Sequence, residues 1–167
     1  MRTQDPPPAP LADASAFRFA VIVSRFNETV TDSLRDAATA ALKEAGAAAV
    51  QVLDVPGAFE IPQAARAAAE SGRFDAIVCL GCIVRGETPH FDYIASAVAH
   101  GITDAAGETG VPMAFGVLTT DTMDQATARS GPGPDNKGRE AAAAAIEMAN
   151  LYKSLSAPAN RPFGFRV

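Results

Sequence analysis

Residues 85–94, RGETPHFDYI, bring an arginine, two carboxylates, a threonine and one of the chain's two histidines together directly behind a strongly apolar run. The order of types reads as a helix start, with Thr88 as N-cap, Pro89 at the first helical position where its missing N–H costs nothing, and His90 in the first turn. Unbonded amides and the positive end of the helix dipole attract an anion at such a start, phosphate above all. A histidine in that first turn is placed to accept or relay a proton. An ordinary helix start with a solvated histidine is equally compatible with these residues. His100 lies about 80° further round the helix; it makes no i, i+4 metal pair with His90 and is read as structural.

A second cluster, RSGPGPDNKGRE (129–140), places Lys137 and Arg139 in the first turn of an expected helix, the end where cations are disfavoured. Something negative must compensate. Arg129, just before the loop, adds a third cation, and arginine suits a bidentate grip on phosphate. The competing reading is a surface loop in which Lys137 pairs with a nearby carboxylate. Two aromatics stand near strand ends: Phe26 in SRFNE can stack on a flat heterocycle, whereas Phe115 in MAFGV reads first as core. Glu60, after PGAF, either binds polyol hydroxyls or is a solvated first-turn acid. Cys79 and Cys82 form a C-x-x-C. Inside an expected strand, however, three residues span about 10 Å and leave the two side chains on opposite faces, so neither a disulfide nor a metal pair is expected.

The elements that must position these groups follow from the apolar pattern. Runs at 17–24, 48–55, 75–84 and 111–120 are continuous rather than alternating, as in parallel strands covered on both faces. Helical patterns lie between them. Leu34, Ala38, Ala41, Leu42 and Ala45 line one face of the first, with Asn27 as N-cap and Gly46 as C-cap. Others fall on IPQAARAAAESG, on Pro89 to about Ala106, near 122–130, and on NKGREAAAAAIEMANLYKSL. The alternation predicts an α/β fold: a flavodoxin-like three-layer αβα sandwich on a four-stranded parallel sheet with right-handed crossovers. Residues 1–16 read as a flexible or surface-laid arm, 17–155 as the domain and 156–167 as a tail. Alanine-rich helices in a chain of 167 residues point to burial of some apolar faces against further copies of itself.

With 14 Lys plus Arg against 19 Asp plus Glu, a formal charge of -5 and no basic stripe, nucleic acid is not an expected partner. No apolar stretch approaches the roughly 20 residues of a membrane span, and the start MRTQDPPPAP has no signal-peptide core, so the expected location is cytoplasmic. Ligands of such sheets bind beyond the carboxyl ends of the strands. Here those exits read SRFNET, VPGAFEIP, VRGETPH and FGVLTTDT.

The ordered blocks SRFN, VPGAFEIPQAA, GCIVRGETPHFDYI, FGVLTTDTMDQATARSG and NKGREAA, across about 17–152, resemble the 6,7-dimethyl-8-ribityllumazine synthases. The resemblance implies condensation of 5-amino-6-(D-ribitylamino)uracil with 3,4-dihydroxy-2-butanone 4-phosphate, the penultimate step of riboflavin biosynthesis, with no metal or organic cofactor. On matching positions it implies that Phe26 stacks on the pyrimidine and that Ala58, Phe59 and Glu60 hold the ribityl chain. The backbone of Cys82, Ile83 and Val84 would read the pyrimidine edge, Gly86, Glu87 and Thr88 would form the phosphate end, and His90 would shuttle protons. Phe115, Arg129 and Lys137 would come from a neighbouring subunit of a homopentamer, so Phe115 is shared with a neighbour's site rather than only core. Some members build closed shells and carry a Lys- and Gly-containing turn before the NKG motif, where this chain has GPGPD. The alternative is a catalytically silent flavin- or lumazine-binding or cage-forming homologue. A flavodoxin-type electron carrier is disfavoured, because SRFNET is not a hydroxyl- and Gly-rich phosphate loop.

Overall fold

A computed structural model describes residues 9–157. The outer parts of the expected arm and tail, 1–8 and 158–167, lie outside the described residues. Strands β1 (Arg18–Ser24), β2 (Ala49–Val55), β3 (Ala76–Val84) and β4 (Met113–Thr120) form one all-parallel sheet in the order β2-β1-β3-β4. Val21 pairs with Val52 on one side and Val78 on the other, and Val84 with Thr120. Continuous apolarity has different outcomes by position. β1 and β3 are buried almost throughout, as expected, whereas β2 is largely exposed because it is an edge strand.

Helices α1 (Glu28–Glu44) and α5 (Lys137–Ser156), with the short α4 (Met123–Arg129), cover one face, packing Leu34, Ala126, Ala141 and Ile146 on Phe19, Val21, Val78 and Leu80. Helices α2 (Ile61–Glu70) and α3 (His90–Thr109) cover the other, packing Ile61, Ala65, Val98 and Ile102 on Ala20, Ile22, Ile77 and Val117. The three-layer α/β sandwich is therefore as the pattern predicted. Cys79 belongs to the second core and Cys82 to the first, on opposite faces of β3, and both thiols are unbridged. Ala14, ahead of β1, is fully buried, and its N–H donates to Ala45 O at 2.9 Å.

Two cap assignments differ in detail. Gly46 (φ 82°) takes the left-handed conformation one residue beyond the cap, which is Ala45. Asn27 stands at the N-cap of α1 but in left-handed geometry (φ 61°), and its side chain makes no capping bond because it reaches across to β3 instead.

The N-terminus of α5 approaches α1 so closely that a Cβ on Gly138 would penetrate the Leu34 backbone carbonyl. Backbone cannot yield as a flexible side chain does. Gly138→Ala is expected to cost about 3 kcal/mol through forced separation of the helices; thermal melting should show the loss, and an unchanged midpoint would mean that α1 and α5 are less tightly held.

Candidate active site

The sheet order reverses between β1 and β3, the switch point where open α/β sheets leave a crevice. A cavity of about 390 Å³ lies there. Phe26 and Asn27 enter it from the exit of β1, and Gly57, Ala58, Phe59 and Glu60 from the turn after β2. Cys82, Ile83, Val84, Gly86 and Thr88 come from the end of β3 and its loop, and His90, Phe91 and Ile94 from the first turns of α3. Ten of the residues singled out in the sequence thus share one wall system. Glu87 lies in the same loop, exposed and outside the lining.

Local chemistry explains the shape. Phe26 is 72% and Phe59 55% exposed, so two aromatic faces stand open at the mouth instead of filling core. The backbone turns through a 3₁₀ turn at Ala58–Glu60 and continues into α2, with Pro62 in its first turn. Pro89, not Thr88, occupies the N-cap position of α3, and no side chain caps that helix. The helix therefore begins at His90, one residue later than expected. The Asp92 N–H already donates to Pro89 O at 3.1 Å, so an anion there would draw on the amides ahead of it, at the very start of α3.

Asn27 is a functional candidate that the sequence reading placed only as a cap. Its Nδ2 donates to Cys82 O at 2.9 Å, fixing the backbone where β3 ends. A signal was present: asparagine tolerates left-handed backbone far better than most residues, and it stands between a strand exit and a helix. Burial pushes the Cys79 thiol up to about 12 and the Cys82 thiol up to about 11. Neither is a thiolate at neutral pH, so Cys82 offers the cavity backbone rather than nucleophilic sulfur.

Phe115, Arg129 and Lys137 line a different cavity, of about 310 Å³, along the outer edge of β4 and the start of α5. No residue lines both cavities. Phe115 is 47% exposed, so its reading as core does not hold: β4 is an edge strand with an open flank. Lys137 pairs with Glu140 one turn on, and Arg139 with Glu44 at 2.8 Å, which supplies the negative charge that the first turn of α5 demanded. Arg129 has no carboxylate partner among the described residues, and its Nη1 donates only to Gln125 O at 2.9 Å. It leaves donors for a ligand in that cavity. His100 lies outside both cavities, exposed, with Nδ1 2.8 Å from Ser96 O.

The family described as 6,7-dimethyl-8-ribityllumazine synthase matches residues 16–153. A protein of Syntrophus aciditrophicus (strain SB) that carries the same name is 49% identical over 144 residues, spanning 85% of this chain and 94% of that protein.

Proposed function

From the premise that this chain belongs to the 6,7-dimethyl-8-ribityllumazine synthase family, we propose that its two cavities are complementary halves of one catalytic site completed between subunits. The chain is a transferase of riboflavin biosynthesis that condenses 5-amino-6-(D-ribitylamino)uracil with 3,4-dihydroxy-2-butanone 4-phosphate, releasing phosphate and water. A silent binding or cage-forming homologue is not favoured at 49% identity over most of the chain.

The observation that carries the split-site reading is that Phe26, Phe59, Glu60 and His90 line one cavity, whereas Phe115, Arg129 and Lys137 line the other. In a homopentamer the β4 edge of one subunit would cover the switch-point crevice of the next. Phe26 stacks on the pyrimidine, the cap turn with Phe59 and Glu60 holds the ribityl chain, and the β3 backbone from Cys82 to Val84 reads the ring edge. Gly86, Glu87 and Thr88 face the phosphate, which Arg129 and Lys137 of the adjacent copy neutralise; Lys137 then exchanges Glu140 for substrate.

The chemistry asks little of the protein beyond orientation. The primary amine adds to the ketone and water leaves as the imine forms, phosphate is eliminated to leave a second carbonyl, and the ribitylamino nitrogen attacks that carbonyl, expelling a second water as the new ring closes. Holding two substrates in register supplies most of the acceleration. His90 moves protons between the amine, the carbonyl oxygen and the carbon skeleton. No step requires a metal or organic cofactor, and a cytoplasmic enzyme fits these substrates.

Mixing the purified protein with the two substrates and following lumazine formation tests the assignment. Formation above the uncatalysed background should scale with protein. His90→Ala should lower turnover by about 10–100-fold without abolishing it, because proton transfer is one contribution beside orientation. Complete loss with normal assembly would contradict this account of His90, and no excess from an assembled oligomer would overturn the catalytic reading.

A further inference from the structure

Arg85 lines neither cavity, yet its side chain joins three elements at the carboxyl end of the sheet. Its Nε donates to Asp121 Oδ1 at 2.8 Å, beyond β4. Nη1 and Nη2 donate to the two oxygens of Asp92, each at 3.2 Å, in the first turn of α3. The guanidinium carbon also sits 4.2 Å from the centre of the Phe91 ring, a cation–π distance. The Arg85 N–H donates to Thr120 O at 2.8 Å, adding a rung to the β3–β4 pairing at the same point.

Phe91 and Asp92 directly follow His90. The intervening loop offers little else to hold the helix start: α3 has no side-chain cap, and a Cβ on Gly86 would meet nothing within 4 Å. Asp121 is itself tied down, its N–H donating to Gln125 Oε1 at 3.0 Å. Both carboxylates are well exposed, at 60% and 67% of their side chains, so the pairs add little to global stability. A two-pronged arginine–carboxylate contact with a stacked ring does, however, specify direction as well as distance.

We propose that Arg85 is the positioning residue for His90: it clamps the first turn of α3 to the ends of β3 and β4 and so fixes the imidazole against the substrate cavity. The inference rests on His90 as the proton-transfer group of the proposed function. It assigns a role to the arginine of the motif without placing it on the substrate.

The test is a double-mutant cycle on the assembled enzyme, with kcat at saturating substrates, KM and thermal melting read for each variant. Arg85→Met should lower kcat about tenfold, as expected for a displaced catalytic group, with KM and the melting midpoint little changed. Arg85→Lys should restore only part, since an ammonium cannot make the forked contact. In a His90→Ala background Arg85→Met should change kcat by less than about twofold, because the group it positions is gone. A full additional loss there, or an unchanged kcat in Arg85→Met alone, overturns the proposal. Should Arg85→Met fail to assemble, Asp92→Asn, which breaks the fork at nearly constant size, must show the same non-additivity. An unchanged kcat in His90→Ala itself would instead overturn the reading of His90, and the positioning role with it.

Discussion

Arg129→Ala is expected to lower kcat/KM for the phosphate-bearing ketone about 100-fold, the scale for removing one charge-stabilising donor from an enclosed site. The structural reason is the state of its charge. Lys137 already has Glu140 beside it and Arg139 has Glu44, whereas Arg129 pairs with no carboxylate among the described residues and lines the β4-edge cavity. A phosphate entering that cavity meets Arg129 without first displacing a carboxylate. The phosphate also leaves during the reaction, so the same contact contributes both to positioning and to stabilising the leaving group. Steady-state kinetics with each substrate varied in turn provides the check. The ribitylamino-uracil KM should move little, because its predicted contacts lie in the other cavity. Unchanged affinity for the ketone phosphate would remove Arg129 from the site.

Subunit mixing should give a second large effect, a recovery of activity from two impaired proteins. Arg129 lines one cavity and His90 the other. If each site takes one wall from either neighbour, Arg129→Ala and His90→Ala chains co-assembled in equal amounts regenerate intact sites at roughly a quarter of the interfaces. Activity of the mixture should then rise to roughly a quarter of the unmodified enzyme, far above the Arg129→Ala protein alone. The control is the same pair mixed after assembly, without subunit exchange. Activity no higher than the average of the two variants in a co-assembled ring would place both residues in a site within one chain and dismiss the interface.

Much of this arrangement was legible before any coordinates. Strand exits carried the chemistry because parallel strands must spend their interior positions on apolar packing, so polar and turn residues can appear only where the strand ends. RGETPHFDYI marked the start of α3 through proline and threonine chemistry, though the boundary moved to His90. Boundary shifts of this size reflect fraying and local turn geometry that composition does not encode. Asn27 shows a different limit. Its type announced a special backbone, but whether its amide capped α1 or reached Cys82 depended on β3 lying beside β1, a contact between residues 55 positions apart.

By itself the sequence determined the elements, their order, the two separated cysteine faces and the residue types at each strand exit. These depend on periodicity and on helix and turn propensities that act over a few residues. Tertiary structure alone decided that β2 and β4 are edges, and it is the open flank of β4 that exposes Phe115, which residue patterning by itself read as core, and that sets the β4-edge cavity apart from the switch-point crevice. It likewise decided that Arg85 faces Asp92 and Asp121 rather than substrate. Each of these is a relation between distant segments, set by strand order and by which helix covers which face, and no local pattern of residue types carries that information.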